Sequence, residues 1–202
     1  HFQLNGALKD RINAYAKESK ATLNMVLHSF FSLFISKYSM EKDVVIGIPV
    51  SARTIPQVQE MLGMFVNTLA IRTKPDPNKS LPNYLNEVKE TLIEALEHQD
   101  YPFEELVNKL NSIEFPYQFS KFDLTLFAHE SEENIAFSFE YSTQLFKKNT
   151  IKRMADHFIT LIENVLNCKE ANVGEVSLIK DEEIKEILNA RHPKQDLISE
   201  EQ

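Results

Sequence analysis

Leu62-Gly63-Met64-Phe65-Val66-Asn67-Thr68-Leu69-Ala70-Ile71-Arg72 is the stretch on which the reading of the fold turns. From Gly63 to Arg72 its β-branched and aromatic content predicts a strand, because such side chains pack well on a pleated surface. Asn67 does not fit that pattern. It falls mid-strand on the face shared by Phe65, Leu69 and Ile71, where an amide among apolar neighbours needs hydrogen-bond partners. Two readings stay open. Either the amide satisfies a neighbouring backbone group at a bulge or loop edge, or the amide and the strand backbone are presented to an extended substrate.

Upstream, Asp43-Val44-Val45-Ile46-Gly47-Ile48-Pro49 predicts a short strand buried on both faces, an inner strand with helices packed against it. Before it, Leu8, Ile12 and Tyr15 recur at helical spacing between Ala7 and Lys17, and Thr22 caps a second helix running to about Tyr38. That second helix is apolar almost all round, through Leu23, Val26, Leu27, Phe30, Phe31, Phe34 and Ile35, so it is expected at the centre.

Downstream, Pro75-Asp76-Pro77-Asn78 makes a turn, and Ser80 caps a helix with Pro82 in its first turn and the stripe Leu85, Val88, Leu92 and Leu96. Tyr101-Pro102 stops the run before a short helix at Phe103. Phe122 to Phe127 and Ile135 to Tyr141 predict an antiparallel hairpin around the polar loop from His129 to Asn134. Ile135, Phe137, Phe139 and Tyr141 should share one face. Thr150 is the expected cap of a long helix striped by Ile151, Met154, Phe158, Ile162 and Val165, after which the chain turns polar from Gly174, with one short helical piece around Glu182 to Leu188. The fold class that follows is α/β: a mixed β-sheet with helices packed against it.

Composition narrows the function classes. A chain of 202 residues with 43% hydrophobic content suits one domain that buries about 70% of its unfolded surface. With 22 Lys and Arg against 30 Asp and Glu, and no basic patch, nucleic acid and membrane surfaces are poor partners. The longest nearly apolar stretch, Met25 to Ile35, is broken by His28, Ser29 and Ser32 and is too short to span a bilayer. Cys168, the one cysteine, is expected to be a semi-buried thiol in a reducing, cytoplasmic setting. The chain has no initiator Met and reads as a fragment. Its six histidines are scattered without metal-ligand spacing, and it contains neither a Gly-rich phosphate loop nor a Gly-x-Ser-x-Gly elbow.

The second unusual segment is His98-Gln99-Asp100-Tyr101-Pro102-Phe103-Glu104. Asp100 and Pro102 are helix-start residues, Tyr101 and Phe103 can anchor the junction to the core, and His98 reads as an anchored junction histidine rather than a proton-transfer group.

Taken together, the two segments resemble signature motifs of nonribosomal peptide synthetase condensation domains: the Gly-x-Phe-Val-Asn-Thr strand ending in Arg, and the His-Gln-Asp-Tyr-Pro-Phe-Glu junction. Asp43 to Arg53, Phe122-Asp123-Leu124 and Glu140-Tyr141-Ser142-Thr143-Gln144-Leu145-Phe146 extend the similarity over nearly the whole chain. The resemblance implies one lobe of a chloramphenicol acetyltransferase-like fold. It further implies a tunnel between two lobes in which aminoacyl or peptidyl thioesters are joined in nonribosomal peptide synthesis. In that family a His-His-x-x-x-Asp-Gly motif on the N-terminal lobe supports catalysis, and this chain has no such motif. No catalytic residue is therefore expected here. The resemblance thus implies the C-terminal, acceptor-side lobe, expected to be incomplete and inactive alone.

On this resemblance Gly63, Phe65, Asn67, Thr68 and Arg72 are the tunnel and acceptor-side candidates. His98, Gln99, Asp100, Pro102, Phe103 and Glu104 form the junction motif. No cofactor or metal is expected on the domain itself; the phosphopantetheine arms belong to upstream and downstream peptidyl carrier proteins. The other implied partners are the missing N-terminal lobe and an adenylation domain, reached by a linker over 176–202 that follows a lobe over 1–175. The family's Arg-Asp-x-Ser-Arg-Asn-Pro-Leu motif is absent from Asn111 to Phe122, where Phe115-Pro116-Tyr117-Gln118 stands instead. The alternatives are an epimerization domain, another acyltransferase of the same fold, or a non-catalytic carrier-protein docking module.

Overall fold

A computed structural model describes residues 1–51, 56–63, 65–110, 122–180 and 183–185. The expected Arg53 end of the first matching segment, Met64, Phe115 to Gln118 and most of the Glu182 to Leu188 helical piece lie outside the described residues. In chain order the elements are β1 (Phe2–Leu4), α1 (Gly6–Glu18), α2 (Leu23–Ser39), β2 (Val44–Ser51), α3 (Pro56–Gln59), β3 (Val66–Thr73), α4 (Leu81–Glu97), α5 (Phe103–Leu110), β4 (Leu124–Glu130), β5 (Ile135–Tyr141) and α6 (Lys148–Asn167). A 3-10 turn, Val173–Glu175, follows.

Helix starts are set by short polar side chains that satisfy the otherwise orphaned first-turn N–H groups. Asn5 accepts from the Leu8 N–H, Thr22 from Met25 and Ser80 from Asn83. Thr150 does not play that part. Helix α6 begins three residues earlier with Lys147 at its cap position, and the Thr150 N–H already donates to the Lys147 carbonyl at 2.9 Å.

The central helix is α2, as its all-round apolar character requires. Val26, Phe30, Leu33 and Phe34 are buried, and α1, α4, α6 and β2 pack around it. Phe158 of α6 sits edge-on to Phe34 and Phe137, with ring centroids 5.2 and 5.7 Å away, which joins helix, sheet and central helix through one aromatic cluster. All five residues of the expected α6 stripe are buried.

The strands form two antiparallel ladders, β1-β5-β4 and β2-β3. The hairpin β4-β5 extends further than its composition suggests: His129 and Glu130 are strand residues because Ala136 and Ile135 pair with them. The turn beyond is gripped by the nearly buried Lys9, whose Nζ donates to the carbonyls of Ser131 and Glu132. Strand β2 is not buried on both faces. Val44 is buried but Val45 is 60% exposed, since a continuous apolar run carries no information about which face is covered.

Gly47 connects the ladders. A Cβ there would lie 2.5 Å from Phe122 Cζ and 3.3 Å from Thr68 Cγ2, so only glycine leaves room for the ring that precedes β4. Buried hydroxyls tie α2 to the far end of β3 and to α4. Ser32 of α2 bonds Thr73, and the Tyr84 hydroxyl of α4, pushed up to about 12 by burial, donates to the Ser29 carbonyl at 3.5 Å. Leu96 is half out of its expected stripe, and Cys168 is exposed because it caps the end of α6 rather than packing beneath it. Among the described residues no helix is long and apolar enough to cross a membrane.

Candidate functional site

The two unusual sequence segments meet. Asn67 lies at the beginning of β3, second residue of the strand rather than mid-strand, and its amide reaches across to the break between α4 and α5. Its Nδ2 donates to the carbonyls of Gln99 and Tyr101, both at 2.7 Å, and its Oδ1 accepts from the Phe103 N–H at 3.1 Å. Two carbonyls and one N–H on the same amide fix its orientation unambiguously.

The physical logic is that of a helix N-cap extended to the connection that precedes the helix. A helix C-terminus leaves carbonyls without intrahelical partners, and a helix N-terminus leaves N–H groups in the same position. Gln99 and Tyr101 follow the last residue of α4, and Phe103 is the first of α5. A single primary amide, carrying donors and an acceptor, serves two carbonyls of the connection and the first N–H of α5 at once. The neighbouring backbone completes the turn: the His98 N–H donates to Ala95 O and the Tyr101 N–H to His98 O. Glu104 and Glu105 sit in the first turn of α5, where carboxylates suit the positive end of the helix dipole.

The remaining candidates divide. Gly63 has φ 155°, and a Cβ there would come within 3.1 Å of the Phe65 ring, so backbone and ring are adjusted to each other just ahead of Asn67. Thr68 is buried on the opposite face of β3, beside Gly47. Arg72 lies five residues beyond Asn67, roughly 16 Å at strand rise. It forks onto Asp43, with Nε 2.8 Å from Oδ1 and Nη2 2.5 Å from Oδ2. That pairing holds the Asp43 carboxyl below its ordinary pKa.

His98 is anchored through its backbone alone, its ring being exposed at the end of α4. Tyr101 does not anchor the core either. It is 39% exposed with Lys109 Nζ 5.1 Å from its ring centroid, because the buried work of the junction is done by main-chain groups. Asp100 and Pro102 are exposed and Phe103 is half-buried; the Pro102 carbonyl accepts from Leu106 as α5 begins. Two features carry no signal in residue spacing. His28 is buried with Nε2 lacking a hydrogen-bond partner, and burial lowers its pKa to about 4. Tyr38, His157 and Glu183 form a hydrogen-bonded chain from three distant segments. Among the described residues no group of three or more His, Cys, Asp or Glu could hold a metal ion.

A family model described as Condensation domain matches residues 1–115 and 109–188. The chain is 34% identical to bacitracin synthase 3 of Bacillus licheniformis, over 96% of this chain and 4% of that protein. It is 38% identical to tyrocidine synthase 3 of Brevibacillus parabrevis, over 90% of this chain and 3% of that protein. It thus spans less than a tenth of the length of these relatives. Among solved structures, a holo four-domain nonribosomal peptide synthetase bound to AMP and glycine superposes with a TM-score of 0.83 at 21% identity, covering 91% of this chain and 18% of that one. The first condensation domain of the calcium-dependent antibiotic synthetase, in complex with a substrate analogue, gives 0.78 at 19% identity, covering 89% and 46%.

Proposed function

Because the chain belongs to the condensation-domain family, we propose that it is the acceptor-side, C-terminal lobe of a peptide-bond-forming domain of a nonribosomal peptide synthetase. Its partner is an N-terminal lobe carrying the histidine motif. The observation that carries this reading is the Asn67 amide, which makes one rigid unit of the two motifs that mark the family. The extent of the match supports it as well: the chain covers 46% of a solved condensation domain, the share of one lobe in two.

The reaction joins an acceptor amine to a donor thioester. A C–N bond forms at the carbonyl carbon, the C–S bond breaks, and the proton lost by nitrogen leaves on the thiol. An amine is already a competent nucleophile, so the main demand is to hold it against the carbonyl, and positioning alone removes a large part of such a barrier. Gly63, Phe65 and Asn67 are the wall on the acceptor side, with Asn67 a positioning residue that keeps strand and junction in register, while Thr68 packs behind the strand beside Gly47. Arg72, engaged by Asp43, supports the strand's far end. Both substrates arrive on the phosphopantetheine arms of carrier proteins, and the chain beyond Val176 leads toward an adenylation domain.

The test is complementation. This chain, an N-terminal lobe supplied separately and both loaded carrier proteins should together form dipeptide, and neither lobe alone should exceed spontaneous aminolysis. Product from this chain alone above that control overturns the reading.

A further inference from the structure

After α6 the chain turns back across the lobe, and its course is secured stepwise. The Val173 N–H donates to Lys79 O at 2.8 Å and Gly174 to Pro77 O at 2.9 Å. Val176 is buried and Leu178 packs on the core. Asn164 Nδ2 on α6 donates to the Ser177 carbonyl at 3.0 Å. The first residues past the expected boundary at 175 are thus part of the packed lobe. Beyond Ile179, the hydrogen bonds that tie the segment to the lobe among the described residues are those of Glu183 to His157, with Oε2 3.0 Å and Oε1 3.1 Å from Nε2.

His157 is itself held. It is buried on α6, and its Nδ1 bonds the Tyr38 hydroxyl at the end of α2. A carboxylate only accepts, so Nε2 must carry a hydrogen; in the neutral ring Nδ1 then accepts, and Tyr38 is its donor. Tyr38 is suited to remain a donor, since burial pushes its hydroxyl up to about 12 in spite of the opposing Arg153. Its ring is fixed in turn against Phe34, centroids 4.7 Å apart.

We propose that Tyr38 and His157 form a clasp on the α2–α6 surface whose ligand is the Glu183 carboxylate of the chain's own exit segment. The clasp, rather than apolar packing, decides whether the chain beyond Lys180 lies on the lobe or leaves it. A buried imidazole with one nitrogen fixed by a donor and the other aimed at a carboxylate is a preorganised receptor, and the single turn it captures is closed by the Ile184 N–H donating to Lys180 O at 3.1 Å. In the parent synthetase the clasp sets the direction of the chain toward the next domain. That consequence rests on the reading under Proposed function, whereas the clasp is tested on this chain alone.

The experiment follows hydrogen exchange at the Ile184 amide, corrected for sequence effects, and trypsin cleavage after Lys180, in the 202-residue chain and its Glu183→Ala and Tyr38→Phe variants. Loss of the charge-assisted bond should speed both by about five- to tenfold in Glu183→Ala, and Tyr38→Phe should speed them by a smaller factor, while amides in the middle of α6 keep their protection. Equal rates in Glu183→Ala and the unaltered chain overturn the clasp. Faster exchange spread equally over α6 also overturns it, since the lobe rather than the strap has then loosened. Loosening in Glu183→Ala with none in Tyr38→Phe removes Tyr38 from the receptor.

Discussion

The Phe103 N–H donates to Asn67 Oδ1 at 3.1 Å across 36 residues of sequence, and this bond converts two separate motifs into one site. Its meaning is that the polar residue on an apolar strand face is spoken for by the backbone. Of the two readings open from sequence, the hydrogen bonds favour the structural one for the amide, while leaving strand and junction as a shaped wall.

Asn67→Ala should therefore weaken the fold as well as the chemistry. It leaves the Gln99 and Tyr101 carbonyls and the Phe103 N–H without their partner, a cost of about 1–3 kcal/mol in urea unfolding. Asn67→Asp should cost at least as much, because it keeps the acceptor for Phe103 but sets a carboxylate against two carbonyl oxygens. An unchanged unfolding midpoint in Asn67→Ala would return the amide to the substrate.

Gly47→Ala should destabilise the chain by about 1–2 kcal/mol, since the added methyl meets the Phe122 ring. In a Phe122→Ala background the same change should cost much less, giving a positive coupling in a double-mutant cycle. Additive costs would mean that the glycine is kept for backbone reasons and that the ring contact is incidental.

His28 predicts an acid limb. Burial holds its folded pKa at about 4 against an ordinary 6.5, so between those values the unfolded chain binds a proton that the folded chain refuses. Stability from this group is thus complete above about pH 6.5 and declines as pH falls toward 4, by up to about 3 kcal/mol. His28→Leu should remove that difference: the gap between variant and parent, followed by urea unfolding, ought to widen as the pH is lowered. A gap independent of pH would show that His28 titrates normally.

Much of the fold was legible because its helices announce themselves. The caps at Thr22 and Ser80, the all-round apolar character of α2 and the stripe of α6 rest on local rules, and each matches the structure to within a residue or two apart from the first turn of α6. What escaped was decided by partners far along the chain. The open face of Val45, the strand character of His129 and the register of β3 depend on what packs opposite them, which periodicity does not encode. The site was visible as two odd segments, but not their union, for the groups that Asn67 grips are main-chain atoms, and these are the same in every residue.

Strand β1 carries a cost in time. Phe2, Gln3 and Leu4 pair with Phe137, Ala136 and Ile135, so the opening residues of this chain have no mate until the hairpin has been made. At ribosomal rates of about 5–20 residues per second, that wait is on the order of ten seconds. During it Leu4, Ile12 and the faces of α1 and α2 that end up against the hairpin and α6 remain wet, and the loop to be closed is long. Within this stretch the strand made ahead of the helices settles after them, and the holding of its apolar surface in the interval falls to whatever waits at the ribosome exit.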